Sequence, residues 1–146
     1  MEREIIIEII TKLFAGADER NWQKVESTMA STLLLDYTSM AGGELAELTP
    51  AQITNAWAAF LPGFDRTHHQ LSAFEVKENN GIANAHYFGK AEHFIGGDIW
   101  IVEGSYDTEL QKINGHWKIT KHKLNFSGQS GNTNLPALAM ERMKHT

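Results

Sequence analysis

The chain has 146 residues, 42% hydrophobic and 21% charged, which is typical of one globular domain with its own hydrophobic core. Its formal net charge is −5 and its Lys and Arg residues form no cluster, which argues against nucleic acid or an anionic membrane surface as the main partner. The absence of Cys excludes disulfides, thiolate catalysis and cysteine metal sites.

The first segment is predicted to be an amphipathic helix that weakens at Gly16, before a turn at "ADERN". Its apolar side chains recur at helical spacing, at Ile6, Ile9, Ile10 and Leu13. Acidic residues and Lys12 interrupt them, so we expect no signal peptide, and no apolar run approaches membrane-spanning length. The default expectation is therefore a soluble, cytoplasmic protein. A second, short helix is predicted around residues 22–29, with Asn21 as its N-cap.

Residues 32–40, "TLLLDYTSM", are predicted to form a strand whose side chains alternate between two faces. Leu33, Leu35 and Tyr37 share one face, so we expect Tyr37 to point inward. The "MAGGELAE" segment that overlaps the end of this strand is predicted to be a loop.

A third helix is predicted to begin at Thr49. Thr49 and Gln52 form a capping-box pattern, and Pro50 fits the first helical turn. The predicted buried stripe contains Ile53, Ala56, Trp57, Phe60 and Leu61. The sequence favours a position in the core for Trp57, and a contact with the substrate is the alternative interpretation.

The rest of the chain is predicted to form two hairpins and a short terminal helix. Asn80-Gly81 and Asn114-Gly115 are hairpin turn signals. The predicted strands are 68–77, 82–94, 99–112 and 116–126, followed by a loose polar linker, "SGQSGNTN", and a helix over 135–144. Helices early and hairpins late indicate an α+β domain, in which a curved antiparallel sheet wraps the helices and leaves a pocket between them.

Three segments of the chain follow a known pattern: "ADERNWQKVESTMASTLLLDYTSM", "RTHHQLSAFEV" and "KINGHWKI". They resemble SnoaL-like proteins of the nuclear transport factor 2-like superfamily, and among them scytalone dehydratase and its bacterial relatives. The resemblance implies one SnoaL-like domain over residues 1–146, with a cone-shaped core over about 5–126 and a tail, 127–146, that can act as a lid. It also implies a pocket for elimination, isomerisation or cyclisation without a cofactor.

Carried over position by position, the resemblance implies roles for three residues. His69 matches the catalytic base, Asp18 the acid that orients this base, and Tyr37 a tyrosine that polarises the substrate carbonyl. A second histidine of the family corresponds to either His86 or His93, and the sequence does not decide between them. Since side chains alternate along a strand, we expect His68 on the face opposite His69.

The chain also departs from the dehydratase pattern. Ala17 stands where the family has another pocket tyrosine, and Gly104 and Tyr106 fall near its serine and asparagine. Tyr106 is therefore a candidate for the pocket wall and substrate binding, or simply for the core. We do not expect the dehydratase's own substrate to be retained.

No metal site or cofactor is predicted. The chain has seven His but no HExxH pair, and the adjacent His68 and His69 cannot chelate one ion from a regular strand. The sequence contains neither a glycine-rich phosphate loop nor a GxSxG elbow.

The resemblance further implies a homo-oligomer, a dimer or a trimer. Phe74, Val76, Ile99 and Ile101 cannot all point into one pocket, so we expect another subunit to cover part of this surface.

The predicted function is that of a cofactor-free lyase, specifically a dehydratase, or an isomerase. The expected substrate is a small cyclic hydroxy-ketone or a similar hydrophobic metabolite, from which a proton is removed next to a carbonyl. Two alternatives stay open: a non-catalytic module for ligand binding or oligomerisation, and an accessory subunit like the small subunit of ring-hydroxylating dioxygenases.

Overall fold

The computed structural model describes residues 2–145. In chain order, its elements are α1 (Glu2–Glu19), α2 (Trp22–Glu26), β1 (Met29–Asp36), α3 (Thr38–Ala41), β2 (Ala46–Leu48), α4 (Pro50–Ala58), a 3₁₀ turn (Leu61–Gly63), β3 (Arg66–Asn79), β4 (Ile82–Ile95), β5 (Asp98–Ile113), β6 (His116–Gly131) and α5 (Leu135–Met143). None of the helices within this described range is both long and apolar enough to cross a membrane.

The strands form one six-stranded sheet in the order β2-β1-β6-β5-β4-β3. The expected antiparallel pairing holds except between β1 and β6, which are parallel. Helix α1 contacts both β3 and β6, although β4 and β5 lie between them, because the sheet curves around the helix. The sheet stays open, with β2 and β3 at its edges. The predicted α+β fold is thus confirmed.

Helix α1 runs past the glycine that was expected to weaken it. Gly16 is buried in the last turns of α1, where an added Cβ would lie 2.9 Å from Cγ2 of Val25. The glycine therefore allows α1 and α2 to pack closely, and its effect is on packing rather than on helix length.

Several local predictions are confirmed. Asn21 caps α2 through its side chain, and the capping box of α4 is present. Both hairpin turns have the positive φ angles of a type I′ turn, 54° and 80° at Asn80-Gly81 and 52° and 82° at Asn114-Gly115.

The strand expected over residues 32–40 ends earlier, at Asp36. The Asp36 carboxylate accepts hydrogen bonds from the backbone N of Thr38 at 3.0 Å and from its hydroxyl at 2.7 Å. This local turn stops the strand and places Tyr37 just before α3. The prediction of a loop over residues 40–47 is partly wrong, because α3 and β2 occupy the two ends of this segment.

A β-bulge in β3 changes which residues face inward. The pairing with β4 shifts between Ser72 and Glu75, and Ala73 in the bulge has a left-handed φ of 58°. After Ala73, the side chains of Phe74 and Val76 pack against the core inside the sheet. These two residues are therefore not part of an outer surface that another subunit could cover.

The prediction of a loose linker before the terminal helix is wrong. Strand β6 continues to Gly131, which pairs with Trp100, and Gln129 accepts a hydrogen bond of 2.8 Å from the Trp100 indole. Leu135 and Ala139 of α5 are buried in a cluster with Trp100. The tail is thus packed as part of the domain.

Candidate active site

A cavity of about 180 Å³ opens between the inner face of the sheet and the helices. Its wall is mostly aromatic and aliphatic, and its polar groups come from Tyr37, His69, His93 and Tyr106. Trp57 also lines the cavity, as one of the two interpretations of this residue anticipated. An apolar pocket with a few convergent polar groups is the usual form of a small-molecule site.

His69 and Asp18 form a close pair beside this cavity. The Nδ1 atom of His69 lies 2.7 Å from Oδ1 of Asp18, and the backbone N–H of His69 donates to Oδ2 at 2.8 Å. Both side chains are largely buried, and the His69 ring packs 5.1 Å from that of Phe14. Asp18, at the end of α1, thus meets His69, on β3, as the resemblance implied.

The Asp18 carboxylate is surrounded by hydrogen-bond donors. Besides the two bonds from His69, Oδ1 accepts the Thr67 hydroxyl at 2.9 Å. Burial favours the neutral acid, but the bonds from His69 and Thr67 and the charge of His69 outweigh it and lower the pKa of Asp18. Asp18 is therefore ionised at neutral pH and acts only as an acceptor.

This arrangement determines the form of His69. Since the Asp18 carboxylate only accepts, Nδ1 of His69 carries the proton. In the neutral ring, Nε2 then keeps its lone pair, as a general base requires.

Arg20 supports this pair, and sequence reasoning missed it. Its guanidinium donates to the Thr67 hydroxyl at 2.8 Å, to the Leu61 carbonyl at 2.8 Å and to the Ala17 carbonyl at 3.1 Å. The bond to Thr67 leaves the hydroxyl proton of Thr67 free to point at Asp18. Arg20 lies within the quoted "ADERNW" segment, but no feature of the sequence pairs it with Thr67 across 47 residues.

His93 is the second histidine of the cavity wall. It is only 5% exposed, and its Nδ1 lies 3.1 Å from the carbonyl oxygen of Trp100. A carbonyl only accepts, so Nδ1 carries the proton and Nε2 remains an acceptor. Burial lowers the pKa of His93 to about 4, so the ring is neutral at pH 7. Its ring centre lies 6.4 Å from that of His69.

His86, the other candidate, lies on the outer face of the sheet. Its Nδ1 is 2.7 Å from Oδ1 of Asp107, in an open groove of about 360 Å³ that also contains Lys121 and Lys123. This groove is larger than the inner cavity, but charged side chains make up most of its lining. His86 therefore cannot contribute to the cavity as the sequence allowed.

Two tyrosines complete the polar wall. Burial raises the pKa of Tyr37 well above its ordinary value and that of Tyr106 to about 12, so both hydroxyls stay protonated. Tyr106 stacks on Tyr87 and on His122, with ring centres 5.3 Å away in both cases. Tyr106 thus belongs both to the cavity wall and to the aromatic core.

His122 is a buried residue that sequence reasoning also missed. It lies on β6, directly opposite Thr108 of β5. It comes two residues before Leu124, which lines the cavity, so both side chains face the inside of the sheet. The alternation of Leu124 and His122 along the predicted strand was the available signal. In the part of the chain from residue 2 to residue 145, no three His, Asp or Glu side chains are grouped closely enough to hold a metal ion.

Comparison with solved structures finds close matches to the fold. Kfla4162 protein from Kribbella flavida is 26% identical, with a TM-score of 0.86 over 92% of this chain and 96% of that one. The "Putative Scytalone Dehydratase" from Novosphingobium aromaticivorans is 17% identical, with a TM-score of 0.75 over 88% and 86% of the two chains. Hexachlorocyclohexane dehydrochlorinase LinA-type3 from Novosphingobium barchaimii is 13% identical, with a TM-score of 0.72 over 90% of each chain.

At these identities the last two matches show a shared fold. No curated protein sequence matches the chain. The model of one family, described as the SnoaL-like domain, matches residues 1–123. The match covers most of the chain and includes Asp18, Tyr37, His69 and His93, so this protein belongs to the SnoaL-like domain family.

Proposed function

We propose that this protein is a cofactor-free lyase or isomerase that removes a proton next to the carbonyl of a small cyclic hydroxy-ketone or a similar hydrophobic metabolite. The observation that carries this proposal is the His69–Asp18 pair at 2.7 Å beside an apolar cavity. Ionised Asp18 holds the proton of His69 on Nδ1 and leaves the Nε2 lone pair as the base.

In the first step, Nε2 of His69 takes the proton from the carbon next to the carbonyl. The electrons of the broken C–H bond form the C=C bond of an enolate, and negative charge collects on the carbonyl oxygen. Asp18 stabilises the imidazolium that results, because its carboxylate stays ionised.

Tyr37 is the proposed partner of the enolate oxygen. Its hydroxyl stays protonated, because burial raises its pKa, and it can therefore donate a hydrogen bond. Tyr37 and His69 both line the cavity, so one ligand can contact both.

If the ligand carries a hydroxyl on the next carbon, the enolate expels it and the product is an enone plus water. The leaving hydroxyl needs a proton. His93 cannot supply it, because its proton is held on Nδ1 by the Trp100 carbonyl and its pKa is about 4. In the proposed mechanism, protonated His69 returns the proton that it took. The acceptor Nε2 of His93 can instead bind a ligand hydroxyl and orient it.

Family and neighbours support this class of reaction. Among the similar folds, one protein is named for scytalone dehydratase and another for hexachlorocyclohexane dehydrochlorinase, both names of elimination enzymes. The apolar cavity favours a hydrophobic ligand over a charged one.

The test is to incubate the protein with a panel of cyclic ketones in D₂O, with and without a β-hydroxyl. Proton NMR then follows exchange at the carbon next to the carbonyl, and ultraviolet absorbance follows enone formation. We expect exchange or elimination with the wild type and neither with His69→Asn. Binding of these ketones without exchange or elimination would instead identify a non-catalytic ligand-binding module.

A further inference from the structure

The hydroxyl of Tyr37 has no fixed partner within residues 2–145. The side chain is half-buried and lines the cavity, and no hydrogen bond from the described part of the chain reaches its hydroxyl. A hydroxyl that must meet a developing oxyanion needs a fixed direction. A hydrogen bond through water would give the Tyr37 hydroxyl such a direction.

A second unpaired polar atom lies in a neighbouring ring. His122 is 1% exposed, and its Nε2 is the buried side-chain polar atom of the described residues that has no hydrogen-bond partner. Burial lowers the pKa of His122 to about 3, so the ring is neutral. Its centre lies 5.9 Å from that of Tyr37. Unpaired buried polar atoms are rare in native proteins and call for a water or a functional explanation.

The other nitrogen of His122 belongs to a short buried chain of hydrogen bonds. Its Nδ1 lies 2.9 Å from the Thr108 hydroxyl, which lies 2.8 Å from the Tyr87 hydroxyl. Each hydroxyl has one proton, so the chain has two possible directions. Either Tyr87 donates to Thr108 and Thr108 to His122, which leaves the His122 proton on Nε2, or all donors are reversed.

We propose that His122 is a positioning residue for Tyr37. Its Nε2–H donates a hydrogen bond to one ordered water, and this water donates a hydrogen bond to the Tyr37 hydroxyl oxygen. The chain then runs in one direction, from Tyr87 through Thr108, His122 and the water to Tyr37, whose own proton faces the ligand oxygen. Each acceptor in such a chain becomes a better donor. The direction rests on the proposed function, because it assumes that Tyr37 donates to a ligand oxygen.

The first experiment needs no substrate, so it distinguishes a failure of this relay from a failure of the proposed reaction. Protein labelled with ¹⁵N-histidine is studied by long-range ¹H–¹⁵N NMR at pH 7, and the His122 signals are assigned with His122→Gln. We expect a neutral His122 whose proton is on Nε2. A proton on Nδ1 would overturn the proposal.

Two matched variants identify the partner of Nε2. Tyr37 and Tyr106 both line the cavity and both contact the His122 ring, and a change to Phe removes one hydroxyl in each case. We expect Tyr37→Phe to shift the His122 Nε2 signal and Tyr106→Phe to leave it unchanged. An unchanged signal in Tyr37→Phe, or a shift only in Tyr106→Phe, would disprove the link to Tyr37.

A kinetic cycle tests the consequence once a substrate is known. His122→Phe should lower kcat about three- to tenfold, the size of one hydrogen bond, without a matching change in KM. His122→Gln keeps an N–H donor near the Nε2 position and should retain more activity than His122→Phe. In a Tyr37→Phe background, His122→Phe should have no further effect. Additive losses would show that His122 acts only through packing.

Discussion

Asp18 holds His69 by two hydrogen bonds at once, one to the ring Nδ1 at 2.7 Å and one to the backbone N at 2.8 Å. The same carboxylate therefore fixes both the imidazole and the start of strand β3 that carries it. A ring held in this way needs little reorganisation before it accepts a proton.

The first prediction concerns the base itself. His69→Asn keeps approximate volume but cannot accept the proton, so kcat should fall by about 10²–10⁴, the usual contribution of a general base. Asp18→Asn should cost less, because it disturbs orientation and charge stabilisation but leaves the imidazole. Steady-state kinetics measure both, with ligand binding as the control. A His69→Asn enzyme that keeps more than about a tenth of wild-type kcat would identify His69 as structural.

The second prediction concerns the Thr67 hydroxyl, which donates to Asp18 and accepts from Arg20. Thr67→Val keeps the shape of the side chain but removes a bond to a charged carboxylate. We expect a loss of about 1.5–3 kcal/mol in the free energy of unfolding, measured by urea denaturation. The exposed Thr133 is a matched control, since Thr133→Val should change stability by less than about 0.5 kcal/mol. Equal effects at both positions would contradict the role assigned to Thr67.

The third prediction is a steep loss of stability in mild acid. The pKa values of His93 and His122 are about 4 and about 3 in the fold, against 6.5 ordinarily. Between pH 6.5 and about 4 the unfolded chain therefore binds more protons, so the free energy of unfolding falls as pH falls. The contribution of these two neutral histidines to the free energy of unfolding is complete above pH 6.5. As pH falls below 6.5, this contribution decreases by about 1.4 kcal/mol per pH unit for each histidine.

Urea denaturation between pH 7 and pH 5 measures this slope. His122→Phe should remove about half of it, and replacement of the exposed His116 by Gln should leave it unchanged. Asp18 adds to the loss only at lower pH, because its pKa is lowered and the stability that it contributes disappears as pH falls through that value. A slope that does not differ between wild type and His122→Phe would refute a neutral, buried His122.

The fourth prediction concerns α5. Leu135 is 1% exposed and lies in the cluster with Trp100, whereas Leu138 on the same helix is 45% exposed. Leu135→Ala should lower the free energy of unfolding by about 2–5 kcal/mol, and Leu138→Ala by less than about 0.5. If the helix instead moved freely as a lid, the two changes would have similar, small effects on the urea midpoint.

The fifth prediction is oligomerisation, which the sequence also suggested. Phe88 is 52% exposed on the outer face of β4, and Ile99 and Ile101 are half-buried on the adjacent strand. We expect light scattering at micromolar concentration to give a mass above the 16.4 kDa of one chain. Phe88→Lys should shift the mass toward the monomer, whereas Ile82→Lys, in the turn region of the same strand, should not. A wild-type mass equal to that of one chain would contradict this prediction.

The sequence predicted those features that depend on local patterns. Alternation and turn residues located β4 and β5, and the capping box located α4. The resemblance brought Asp18 and His69 together because both positions lie in matching segments. Arg20 could not be predicted in the same way, since its bond to Thr67 joins residues that only the packing of α1 against β3 makes neighbours.

The sequence mispredicted the end of β6 and left the choice between His86 and His93 open, and the physical reasons for these two failures differ. "SGQSGNTN" has the composition of a linker, yet β5 is long enough to pair with it, and pairing outweighed composition. His86 and His93 lie an odd number of residues apart on one strand, so they must face opposite sides of the sheet. Only knowledge of which side holds the cavity decides between them.

The bulge at Ala73 has a consequence for how relatives of this chain are compared with it. Ala73 and Phe74 together lie opposite Tyr87, so β3 contains one residue more than its partner strand at that point. A relative that lacks this extra residue would match the chain on both sides only with a one-residue gap between Ser72 and Glu75. An ungapped alignment through that position would equate inward residues with outward ones, and would misassign every pocket position on one side of it.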